Sequence, residues 1–232
     1  MISDYEKKKQ EIELFCLYLQ QNDMPENYIL ENKDNNSKLL RILKSNALIM
    51  FYNLIESTVR SCIMEYYDTH NVYIKSYSEA SDEIKKIWLK YSSYTIKEQS
   101  INQDLFSIIQ QTFLDTGFSL DIKQFHLSGN VDVAKIKYVF EKHGIQYDGQ
   151  QLKDNGGTIL SIKNQRNALA HGNISFTKAT ENLTTEEVVG KYKQHVFECL
   201  DYVVEVIETE IEKLNGNLSE YDNPKWRKIN EF

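Results

Sequence analysis

Helix breakers are scarce in this chain. Nine glycines and two prolines among 232 residues predict long helices in preference to many short strands. Long apolar runs are missing too: the longest, Ala47–Tyr52, is far too short to span a bilayer. Ile2-Ser3-Asp4-Tyr5-Glu6 has neither a basic start nor an apolar stretch, so neither a signal peptide nor a membrane partner is expected. Cys16, Cys62 and Cys199 are odd in number and contain no CxxC pair. That pattern argues against disulfides and a cysteine zinc site and points to the cytoplasm. His70, His126, His143 and His195 lack metal-ligand spacing, so no metal site is expected and surface or capping positions are predicted for them.

What is present fits a globular chain, with 41% hydrophobic and 26% charged residues. The net charge of −7 argues against indiscriminate binding of nucleic acid. Its distribution is uneven. From Lys123 to Lys178 there are eight basic residues and four acidic ones, whereas Glu181 to Asp222 holds eleven acids and three lysines. An anionic substrate would favour the first segment; charge scattered over a solvated surface would give the same count.

Read in order, Ser3-x-x-Glu6 is a capping box for a helix to about Gln21. After a polar loop, Asn36 or Ser37 is predicted to cap a helix over Lys38–Tyr67, with Leu40, Leu43, Ala47, Phe51, Leu54 and Thr58 at spacings of three and four. Shorter helices are predicted from Ser78 or Ser81 through Tyr91, over Asn102–Asp115, and from Asn130 or Asp132 to His143-Gly144. Phe118–Leu127 reads as a short strand or extended loop, and 146–157 and 173–182 as loops. Thr184-x-x-Glu187 is a second capping box, opening a long last helix to Leu214. The expectation is an all-α bundle at 37–214, an N-terminal helix and loop at 1–36 packing on it, and a tail at 215–232.

Between the loops at 146–157 and 173–182 lies a helix ending in Arg166-Asn167-Ala168-Leu169-Ala170-His171-Gly172, with Gly172 placed to adopt a left-handed cap. Asn167 and His171 are one helical turn apart on one face, and the long Arg166 side chain can curl back towards them. An arginine holds phosphate with a permanent fork of donors, and a histidine moves protons near neutral pH. His171 also lies at the helix end whose dipole attracts positive charge. Arg166 would bind a scissile phosphate, His171 would act as general acid or base, and Asn167 would orient one or the other. Spacing alone is weak evidence, since a buried histidine bonded to a helix end, beside a surface arginine, gives the same pattern.

This motif, late in a helical chain and followed by a long helix, resembles the HEPN superfamily. Tyr52-Asn53-Leu54-Ile55-Glu56-Ser57 on the earlier long helix resembles a bacterial subgroup linked to defence and toxin–antitoxin loci. The resemblance implies a HEPN-like helical bundle with additional peripheral helices. It also implies a metal-independent endoribonuclease without a cofactor, acting on single-stranded RNA or a tRNA loop. In such proteins a homodimer pairs two motif helices, so both His171 copies would line one cleft. Glu56 matches an acidic position that joins the site; Asn53 is a second candidate, and with Lys163 it is expected to bind substrate. An antitoxin or defence-system protein is the further partner implied. Some members carry a tyrosine two residues after the histidine, where a partner nucleotidyltransferase modifies it; Asn173 stands there, which argues against that control. The alternative within the superfamily is a non-catalytic module that binds nucleotide or a partner protein and regulates a neighbouring system.

Overall fold

Helices carry the chain, and no strand forms among the described residues. The structure is a computed structural model describing residues 2–23, 30, 32–94, 96, 100–114, 117–124, 127 and 130–216. The elements are α1 (Ile2–Asn22), α2 (Lys33–Tyr73), α3 (Asp82–Tyr94), α4 (Ile101–Leu114), α5 (Val133–His143), α6 (Gly149–Asp154), α7 (Gly156–Ala170) and α8 (Phe176–Ala179). A π-helical turn, Glu187–Tyr192, then continues into α9 (Lys193–Leu214). No helix among the described residues is long and apolar enough to cross a membrane.

The chain divides into two compact units, each assembled from three stretches. The first comprises Met1–Ser61, Leu127–Lys137 and Asp148–Val204; the second comprises Cys62–His126, Tyr138–Tyr147 and Glu205–Phe232. In the first unit the predicted α2 stripe is buried at Ala47, Phe51, Leu54 and Thr58, and widened by Leu48, Ile55 and Val59. It shares the core with Ile159 and Ile162 of α7 and Val196, Leu200 and Val203 of α9. The α1 helix is fixed to α9 by polar contacts: the Tyr5 hydroxyl donates to Asp201 at 2.5 Å, and Lys9 reaches the same carboxylate at 2.8 Å. The capping box at Thr184 forms reciprocally, with Thr184 N–H donating to Glu187 at 2.8 Å and Glu187 N–H to Thr184 Oγ1 at 3.1 Å.

The second unit is built around aromatic side chains. Tyr66, Tyr67 and His70 of α2 share its core with Trp88 of α3 and with Phe140 and His143 of α5. Trp88 and Phe118 rings lie 5.7 Å apart, and His70 and Phe118 rings 6.0 Å apart. The Asn71 amide pins the intervening chain, accepting from Leu120 N–H and donating to Leu120 C=O, both at 2.8 Å.

Several boundaries differ from expectation, each for a local reason. The α2 helix starts at Lys33 because Asn32 Oδ1 accepts from the N–H groups of Asp34 and Asn35. Asn36 is buried and bonds back to Leu30 instead of capping. Between 146 and 157 the chain forms α6, capped by Asp148 accepting from Gln150 N–H, and Gly156 and Gly157 already belong to α7. The 173–182 stretch contains α8, and Ile122–Gln124 is a single 3-10 turn. His70 and His143 are buried, contrary to the surface expectation, and His195 bonds to Thr158 at 2.7 Å. His126 and the tail beyond Gly216 lie outside the described residues.

Candidate active site

The motif helix α7 ends as its glycine predicts. Gly172 adopts φ 69°, Asn173 N–H donates to Ala168 C=O at 2.9 Å, and Gly172 N–H donates to Leu169 C=O at 3.1 Å. These two bonds are the Schellman pattern, which satisfies carbonyls a helix end otherwise leaves open. His171 is the C-cap residue; its N–H donates to Asn167 C=O at 3.0 Å and its imidazole is exposed. The chain that follows is anchored on α2. Ser45 donates to Phe176 C=O at 2.6 Å, Thr180 donates to Arg41 C=O at 2.9 Å, and Lys44 donates to Leu183 C=O. Burial holds the Lys44 ammonium below its ordinary pKa. The exit from the motif helix is thus set by α2, through contacts 131 to 139 residues apart in sequence.

Arg166 is held on three sides within the first unit. Its guanidinium carbon lies 4.4 Å from the centre of the Tyr52 ring, Nη2 is 3.8 Å from Glu56 Oε2, and Nη1 donates to Asn167 Oδ1 at 3.1 Å. Asn167 then donates through Nδ2 to Asn130 Oδ1 at 2.6 Å. The chain Glu56–Arg166–Asn167–Asn130 therefore links α2, α7 and the segment entering α5. Tyr52 is itself fully buried and accepts a hydrogen bond from Val131 N–H at 3.1 Å; burial raises its hydroxyl pKa. The cationic group thus rests on a ring held by burial and by its hydrogen bond to Val131.

The expected site residues fall into three groups. Arg166, Asn167 and Glu56 come together directly. His171 stands one turn beyond Asn167, joined to it through the backbone, with its ring towards solvent. Asn53 and Lys163 are used elsewhere: Asn53 is exposed and lines a groove with Lys8, Glu11 and Met50. Lys163 is ion-paired with Asp132 at 2.5 Å. Burial opposes ionisation of Asp132, but the Lys163 hydrogen bond and the N–H groups of Lys135 and Ala134 outweigh it and hold the carboxyl below its ordinary range. The locally basic segment is partly committed in the same way, since Lys137 donates to Gly149 C=O at 2.8 Å. Tyr52 and Asn130 are the residues that sequence reasoning missed. In the sequence Tyr52 stands only as part of a helix motif, and a stack between residues 114 positions apart leaves no spacing to read.

Chemically, a guanidinium fixed over an aromatic face can orient an anionic oxygen, and an exposed imidazole at the same helix end can exchange protons. Among the described residues no group of three His, Cys, Asp or Glu side chains is arranged to hold a metal ion. A model of the HEPN_MAE_28990-like HEPN family matches residues 1–214, a span that includes α1 as well as the motif helices. No curated protein and no solved structure matches the chain.

Proposed function

The chain belongs to the HEPN_MAE_28990-like HEPN family, and from that membership we propose that it is a metal-independent endoribonuclease of a toxin or antiphage defence system. The observation carrying this reading is Arg166 fixed between Tyr52, Glu56 and Asn167, at the end of the helix that presents an exposed His171. In the proposed reaction a His171 imidazole takes the proton of a ribose 2′-hydroxyl, whose oxygen attacks the adjacent phosphorus. Arg166 neutralises charge on the phosphoryl oxygens as it grows. The 5′-oxygen leaves with a proton from an imidazolium, which gives a 2′,3′-cyclic phosphate and a 5′-hydroxyl. Pairing of two α7 helices in a homodimer would bring a second His171 to the same cleft, so that one ring serves as base and the other as acid. Glu56 and Tyr52 act on Arg166 and not on the substrate.

The net charge of −7 and the committed lysines favour a short, structured contact over a long nucleic-acid track. A single-stranded segment or a tRNA loop fits that requirement. The test is incubation of the purified protein with single-stranded RNA and tRNA in EDTA, followed by end-group analysis. Fragments with 2′,3′-cyclic phosphate and 5′-hydroxyl ends are expected; 5′-phosphate ends would contradict the mechanism.

A second reading has one observation in its favour. Arg166 already has a carboxylate beside it, as suits a residue with a structural part in a non-catalytic HEPN module. Intact RNA under all conditions, with a stably co-purifying partner protein, would support that reading.

A further inference from the structure

The α4 helix turns most of its apolar side chains to solvent. It runs for 14 residues, about 21 Å at the rise of an α-helix, and buries none of its side chains. Its inner edge, Asp104, Ser107, Ile108 and Gln111, lines a pocket with Trp88, Ser92 and Ser119. Its apolar stripe faces outward: Ile101 is 48% exposed, Leu105 42%, Phe106 65%, Ile109 51% and Phe113 85%. Ile101, Leu105, Ile109 and Phe113 follow one another at intervals of four, with Phe106 beside them, so all five share one side of the helix. At roughly 200 Å² for a large apolar residue, these exposures sum to about 600 Å² of apolar surface. That is at the upper end of what a monomer exposes and approaches the ~800 Å² each partner buries in a standard interface.

We propose that this stripe is a self-association face, on which α4 of a second copy packs antiparallel about a two-fold axis. The stripe carries no charge, and the helix has one ionisable side chain, Asp104, placed on the inward edge. Two chains of net charge −7 therefore meet without like charges opposed across the seam, and the isologous arrangement presents the same stripe to itself. A charged partner protein would find nothing on α4 to steer it. A lipid surface fits poorly too, because interfacial helices carry lysine and arginine on the polar face and α4 has neither. Phe106 and Phe113 are the anchors, since large aromatic side chains dominate the energetics of such seams. The stripe belongs to the second unit, and the proposal does not rest on the ribonuclease reading.

Sedimentation equilibrium on the full chain across micromolar concentrations tests the proposal. The wild-type chain is expected to associate reversibly beyond any α7-paired dimer, and the Phe106→Glu/Phe113→Glu chain to make that further step at least about tenfold more weakly at unchanged helicity. Phe106→Leu/Phe113→Leu should retain most of the association. Should the charged variant fold poorly, Ile109→Cys supplies a second measurement. The three native cysteines are buried, so a short thiol–thiol crosslinker should join two copies through residue 109 alone. A wild-type chain that stays monomeric or stops at a dimer indifferent to the charged substitutions, failure to crosslink at 109, or α4-dependent binding to lipid vesicles in place of self-association would overturn the proposal.

Discussion

Arg166 owes its position to an aromatic face, a carboxylate and an amide oxygen, and their strengths differ. A part-exposed ion pair at 3.8 Å contributes about 0–1 kcal/mol, whereas a cation stacked on a buried ring contributes about 1–2 kcal/mol. Tyr52, more than Glu56, therefore fixes the guanidinium, which is why the missed residue matters as much as the expected one. A second residue-scale consequence lies in the second unit. His143 Nε2 is 2.8 Å from the Tyr67 hydroxyl and its Nδ1 is 2.6 Å from Val139 C=O, while His70 Nδ1 is buried without a hydrogen-bond partner among the described residues. Burial pushes both imidazoles down to about 4 from 6.5. The unfolded chain takes up these protons at higher pH than the folded one, so the stabilisation is complete above pH 6.5 and is lost as pH falls towards 4. Each group contributes at most about 3 kcal/mol across that window. Denaturant unfolding at pH 7.5, 6.0 and 4.5 should show the fall, and His143→Gln should flatten it; an unchanged slope in the variant would contradict the assignment.

At the scale of elements, helix ends determine where the chemistry sits. Gly172 has φ 69° and open space where a Cβ would project, so substitution costs backbone strain without a clash. Gly172→Ala is expected to destabilise by about 1–2 kcal/mol, and Gly172→Asn by less, because asparagine tolerates the left-handed region. Thermal melting checks this, and equal melting temperatures for wild type and Gly172→Ala would contradict it. The glycine stop at 172, the Thr184 capping box and the α2 stripe were legible because each rests on neighbours within a few residues. The helical starts at Lys33 and Gly149 were not. Polar runs such as Lys33-Asp34-Asn35-Asn36 and Asp148-Gly149-Gln150 read as loops by composition, yet one aspartate or asparagine side chain capping each start lets them be helical. The buried histidines were equally opaque: His143 depends on Tyr67, 76 residues away, and nothing local announces the partner.

For the molecule as a whole, the family and the all-α class came from a motif and a composition that agree, whereas the disposition of charge did not translate directly. The basic excess from Lys123 to Lys178 fits either a footprint for an anion or scattered surface charge, and two of its lysines, Lys163 and Lys137, are occupied by Asp132 and a backbone carbonyl. The Arg166 assembly and the exposed ring of His171 form a small candidate site on an acidic protein. On the proposed ribonuclease reading, such a site would hold RNA weakly along its length and derive its effect from a few well-placed groups. The direct measurement is single-turnover cleavage of one RNA by wild type, Arg166→Ala and His171→Ala in EDTA, with helicity and melting compared in parallel. Wild type should cleave, and each variant should lose at least about a hundredfold in rate while remaining folded. Wild-type rates in either folded variant would contradict a catalytic role for the end of α7.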